Sequence, residues 1–292
     1  MEKKYIYLLL LFIYIFYGCS KNRTVDNGIN KILNTDQSVS RFGKTPQSKP
    51  FIFYSDSNML AGRILMAHGN ELKPTIIFLH GNPGFEKNED LGQMLRRGGY
   101  NTVFFSYSGT WGNEGDFSYK KSLNDVLSIK KFIIDNSKQY MVDPEQIYLL
   151  GFSMGADIAI FGGFNDKDFR GVISIDPWNG YSTLKHKNEK DLASYINELK
   201  QRPCIKIASI EKFVSDILND ADLDLKNVLN KYQLPIIHIF SNNTDNVNFQ
   251  NDCEMQNHNS CHLIESSDHS FSDKRIALAT TIFEWLEKNK RK

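Results

Sequence analysis

The chain has 292 residues, enough for one large α/β domain or two small ones with a substantial buried core. Its 35 Lys and Arg balance 34 Asp and Glu, so no charge excess draws it onto nucleic acid or another acidic polymer. With 41% hydrophobic and 24% charged residues the composition is that of an ordinary globular protein, which excludes a low-complexity chain.

In chain order, Lys3 and Lys4 precede an almost unbroken apolar run over 5–17, followed by Gly18, Cys19 and Ser20. The run is shorter than the ~20 residues a membrane span needs, and it suits the apolar core of an export signal. Gly18-Cys19 resembles the lipobox of bacterial lipoproteins, in which the chain is cut before a Cys that then carries lipid. Phe16 and Tyr17 depart from the Leu and small residue preferred there. The expectation is a signal peptide over 1–19, lipidation at Cys19 and attachment to a membrane of a bacterial cell envelope. An uncleaved N-terminal anchor and an ordinary secretory signal are the alternatives. Residues 20–49, polar and aperiodic, read as a flexible tether. In an oxidising compartment Cys253 and Cys261 are the pair expected to bridge, closing a short polar loop, with free thiols as the alternative.

Residues 51–54 and 60–67 predict an antiparallel strand pair joined at Ser55-Asp56-Ser57-Asn58. Short apolar runs at 76–79, 102–106, 147–150 and 172–175 suit strands buried on both faces, and helical periodicity at 91–97, 123–134 and 156–161 separates them. This alternation predicts an α/β fold with a mostly parallel sheet and helices on both faces. The stretch 179–232 is mostly helical and too long for a simple connection, so it reads as a cap inserted into a core of 50–178 and 233–292. The pattern resumes with strands at 236–240 and 262–264 and a closing helix at 274–288.

The strongest chemical signal is Gly151-Phe152-Ser153-Met154-Gly155, placed between a predicted strand and a predicted helix. A sharp strand-to-helix turn lifts a serine above the sheet, and small residues on either side let strand and helix close on each other. A serine hydroxyl needs a base, and His269 stands just past the last predicted strand. Acyl transfer also needs donors for the developing oxyanion. The backbone N–H of Met154 is one candidate. The other lies in His80-Gly81-Asn82-Pro83-Gly84 after the strand at 76–79, where Pro83 has no N–H and Asn82 is the expected donor. For the orienting acid, Asp245 is favoured because it follows a late strand and keeps the order Ser, Asp, His. Asp176, at the end of the preceding strand, is the competitor, and Asp268 sits too close to His269 to reach back onto it. Cys253, His258, Cys261 and His262 make a poor metal set, because adjacent residues on a strand point to opposite faces. No cofactor is expected. The Trp111–Phe117 loop either lines the pocket or shields the end of the sheet.

Taken together, these motifs resemble the α/β-hydrolase family over residues 50–290, and the segment from His80 to Phe117 is similar to bacterial hydrolases of the prolyl oligopeptidase and acyl-esterase branches. The resemblance implies acyl transfer through a Ser153 acyl-enzyme on a small acyl substrate. The expected activity is hydrolysis of an ester or thioester; a small exopeptidase or amidase on the same scaffold, or a binding lipoprotein that kept the fold without the chemistry, are the alternatives.

Overall fold

A computed structural model describes residues 43–242 and 260–291. The expected signal peptide, Cys19 and most of the tether lie outside them, as do Asp245, Cys253 and His258. The described chain departs from the tether early, because the first strand begins at Gln47.

The first two strands, β1 (Gln47–Ser55) and β2 (Asn58–Met66), form an antiparallel hairpin with Ser55 opposite Asn58. Six further strands follow, β3 (Lys73–Leu79), β4 (Asn101–Phe105), β5 (Val142–Phe152), β6 (Gly171–Ile175), β7 (Ile236–Phe240) and β8 (Ser260–Leu263). They complete one sheet in the order β1-β2-β4-β3-β5-β6-β7-β8, parallel from β4 onward. This is the α/β-hydrolase fold expected from the sequence.

The central strands read as unbroken apolar runs because both faces are covered. From β3, Ile76 and Phe78 enter one core with Leu91 and Leu95 of α1 (Glu89–Arg97) and Leu278 and Ile282 of the C-terminal helix Arg275–Asn289. Ile77 and Leu79, on the alternate face, enter the other with Val126 and Ile129 of α2 (Tyr119–Asp135) and Ile158 of the helix Met154–Asn165. In chain order, a single turn α3 (Ser137–Tyr140) precedes β5, and Met154–Asn165 is α4.

Between β6 and β7 lie α5 (Gly180–Lys185), α6 (Glu189–Lys200), α7 (Ile210–Leu218) and α8 (Leu225–Leu229); the C-terminal helix is therefore α9. Leu184, Leu199, Phe213 and Val228 of this insertion join the core on the α2 and α4 side. Asn188, Ser209 and Asp224 cap α6, α7 and α8 by accepting from backbone N–H groups, which fixes where each short helix starts. Parallel strands joined by helices leave every loop that follows a strand at one edge of the sheet, and the candidate site gathers there.

Candidate active site

Ser153 occupies the turn between β5 and α4 with φ 56° and ψ −124°, a conformation that L-residues adopt only when the surroundings impose it. What imposes it is the closeness of the two elements. A Cβ on Gly151 would stand 2.0 Å from Gly155 O, and one on Gly155 would stand 2.1 Å from Leu79 O, so neither position admits a side chain. Ser153 N–H donates to Ile175 O at 2.9 Å, binding the turn to the neighbouring strand. The result is a half-buried serine at the N-terminus of a helix. Met154 is the first residue of that helix, so its N–H has no intrahelical acceptor.

The loop after β3 packs directly on this serine. A Cβ on Gly81 would lie 3.0 Å from Ser153 Cβ and 3.4 Å from its Oγ. The buried His80 sets the orientation of the loop, because its Nδ1–H donates to Gly81 O at 2.7 Å. In a trans peptide the carbonyl and the following N–H point in opposite directions, so pinning Gly81 O turns Asn82 N–H away from His80. Burial holds the His80 imidazole down at about 4, below its ordinary value, which keeps it neutral. Trp111 braces the loop from outside, its Nε1–H donating to Pro83 O at 2.8 Å.

The Trp111–Phe117 loop, whose role the sequence left open between two readings, touches both regions. Asn113 and Glu114 accept from Ala61 N–H and Met59 N–H at 3.0 and 2.8 Å, covering β2 beyond the end of β4. Trp111 N–H in turn donates to Cys204 O at 2.8 Å, joining this loop to the helical insertion.

His269 lies beside the Ser153 turn, with its ring 4.8 Å from that of Phe152. Its Nδ1–H donates to Asp176 Oδ2 at 2.5 Å. Asp176 directly follows β6, is fully buried, and also accepts from Ser241 Oγ–H at 2.6 Å and from Ser241 N–H at 3.4 Å. This corrects the expectation that Asp245 orients the histidine. An imidazole Nδ1 has a single N–H, and Asp176 takes it; Asp245 lies outside the described residues. Sequence order alone does not separate the two, since both stand between Ser153 and His269. The observed bond does: Asp176, the residue directly after β6, is the one that His269 Nδ1 meets. Ser241, which secures the carboxyl group from the end of β7, carried no sequence signal. Asp268 turns away, accepting from Ser272 N–H and Oγ–H at 2.7 Å each.

Cys261 is disulfide-bonded and Cys204 is a free thiol. Cys253, the expected partner of Cys261, is outside the described residues.

A family model, BD-FAE, matches residues 64–249, more than half of the chain. The chain belongs to the BD-FAE family. Solved structures that resemble this BD-FAE member show the same fold at low identity. Est1E from Butyrivibrio proteoclasticus with ferulic acid bound has a TM-score of 0.65 at 15% identity, over 82% of this chain and 98% of that one. A soluble variant of monoglyceride lipase from Saccharomyces cerevisiae, in complex with a substrate analogue, has a TM-score of 0.63 at 16% identity, over 88% and 100%. The Pyrococcus horikoshii acylaminoacyl peptidase has a TM-score of 0.63 at 16% identity, over 84% of this chain and 42% of that one. No curated protein matches the sequence.

The buried His80 gives this BD-FAE member a pH signature. Its folded pKa lies below the unfolded value of 6.5, so its contribution to stability is present above pH 6.5 and is lost as pH falls toward 4. Over that window it amounts to about 3 kcal/mol. Urea unfolding at pH 7 and pH 5 should show a shallower loss of stability in His80→Gln than in the wild type, and identical slopes would contradict the neutral, buried assignment.

Proposed function

We propose that the chain is a carboxylic-ester hydrolase that works through an acyl-enzyme on Ser153. The observation that carries this reading is the bond from His269 Nδ1 to the buried Asp176, made beside a serine held in a strained strand-to-helix turn. Serine, imidazole and buried carboxylate in that relation form the constellation that activates a hydroxyl.

In the proposed reaction His269 Nε2 takes the Ser153 proton as Oγ attacks the substrate carbonyl. The oxyanion of the tetrahedral intermediate is received by Met154 N–H and Asn82 N–H. Asp176 holds the imidazole in the tautomer whose Nε2 is free to accept, and stabilises the imidazolium that forms. Collapse breaks the C–O bond, and the imidazolium returns its proton to the leaving alcohol. A water, deprotonated by His269, then attacks the acyl-enzyme carbonyl; the C–Oγ bond breaks, the acid leaves, and the imidazolium returns its proton to Ser153 Oγ.

Substrate size falls to the loops around the site. Phe85 and Trp111, 74% and 38% exposed, meet edge-to-face at 5.2 Å next to Pro83, which favours an ester with an apolar or aromatic group. The helical insertion over 179–232 is the proposed wall of the acyl pocket, since it bonds to the Trp111 loop through Cys204 O and through Lys206 N–H, which donates to Gly109 O at 2.7 Å.

A fluorophosphonate probe should label the wild type and miss Ser153→Ala, and hydrolysis of p-nitrophenyl esters should exceed that of aminoacyl anilides. Labelling of the mutant would remove Ser153 as nucleophile, and faster anilide cleavage would favour an amidase on the same site.

We also propose that the mature chain begins at a lipidated Cys19 and is held at a bacterial membrane, on the strength of Lys3, Lys4, the apolar run and Gly18-Cys19. Metabolic labelling with a palmitate analogue should mark the wild type and not Cys19→Ala; equal labelling of both would reject the anchor.

A further inference from the structure

Asp157 lies in the first turn of α4, one helical turn beyond Ser153, and is fully buried. Neither the motif nor the proposed reaction gives it a part. A buried carboxyl group is expensive unless its oxygens are occupied, and here they are. Asn179 N–H donates to Oδ1 at 3.0 Å, Gly180 N–H to Oδ2 at 3.0 Å, and Tyr119 O–H of α2 to Oδ2 at 3.1 Å. Burial still pushes its carboxyl up to about 7, against the pull of those donors.

The segment it grips is the one that carries Asp176. Between β6 and α5 the chain takes positive φ at two residues that are not glycine, 44° at Asp176 and 49° at Asn179. Such conformations persist only where the surrounding structure over-determines them. Asp176 N–H donates to Ile239 O at 2.8 Å, Trp178 N–H to Ser153 O at 3.3 Å, and Asn179 and Gly180 both donate to Asp157. Three of these bonds end on the nucleophile turn or its helix.

We propose that Asp157 is a positioning residue for the reaction. It ties the 176–180 segment to the helix that begins at the nucleophile, so that the Asp176 carboxylate is held on His269 Nδ1 at a fixed place relative to Ser153. This rests on the acyl-enzyme reading above and adds to it the part that registers the acid against the nucleophile.

Asp157→Asn keeps the size of the side chain but replaces one acceptor oxygen with an NH2 group facing a backbone N–H. In the full chain, with the best p-nitrophenyl ester, kcat should fall about 10-fold to 100-fold while KM stays within about threefold, the pattern of a misplaced catalytic group rather than lost substrate binding. The downfield proton resonance of the His269 Nδ1–H should broaden or move. Tyr119→Phe removes one donor and leaves both backbone bonds, so it should shift kcat in the same direction by about 2-fold to 5-fold. A wild-type kcat and an unmoved resonance in Asp157→Asn, even with a lowered Tm, would overturn the inference. If that variant does not fold, Tyr119→Phe decides, and wild-type values there overturn it. Ser153→Ala, run alongside, separates the two levels: turnover retained in Ser153→Ala overturns the acyl-enzyme reading itself, whereas turnover lost there and unchanged in Asp157→Asn overturns the clamp alone.

Discussion

Everything at the site depends on how closely β5 and α4 approach each other and β3. The contact is backbone on backbone: Gly155 lies against Leu79 O, and Gly151 against Gly155 O. This closeness holds Ser153 at φ 56° and leaves Met154 N–H at the open end of a helix, where the partial positive charge of the helix end is greatest. It also brings Gly81 onto Ser153. The candidate nucleophile and both candidate oxyanion donors are thus positioned by one steric constraint, and widening it by a single methyl group would disturb all three together.

The remaining parts are fastened to this turn by hydrogen bonds of different origins. His80 pins the Gly81 carbonyl, and Trp111 pins the next one but one, Pro83 O. Ser241 and His269 share the oxygen Oδ2 of Asp176. Asp157 holds the chain that follows Asp176. Ser241 and Asp176 come from neighbouring parallel strands, so the carboxyl group sits in register with the sheet rather than on a free loop. A side chain that leaves the end of a buried strand is more firmly placed than one carried by a polar connection.

This difference explains what the sequence made legible and what it did not. The strands were visible because burial on both faces writes them as short apolar runs, as at 76–79 and 147–150, and the helical insertion because apolar positions recur at helical spacing through 192–199 and 213–218. Ser153 was visible because its strained turn demands glycines at fixed offsets. Asp176 was visible only as a second choice. Its identity depends on β6 lying between β5 and β7, which is a matter of sheet order and not of local pattern. Ser241 and Asp157 were silent, since a serine after a strand and an aspartate in a first helical turn are ordinary residues in ordinary places. What marks them is the partner each meets across the fold, and chain spacing does not encode that. The BD-FAE match covers the Ser153 turn and β6 but stops before His269, so the family assignment by itself does not name the candidate base.

The most direct test of the account compares two isosteric changes at the competing acids. Asp176→Asn should leave the fold nearly intact and lower kcat for a p-nitrophenyl ester by about 10³-fold to 10⁴-fold, because the amide cannot hold the imidazole in the productive tautomer or stabilise the imidazolium. Asp245→Asn should stay within about threefold of wild type. The reverse result, with Asp245→Asn losing activity on the larger scale and Asp176→Asn nearly unaffected, would contradict the assignment of Asp176 to His269.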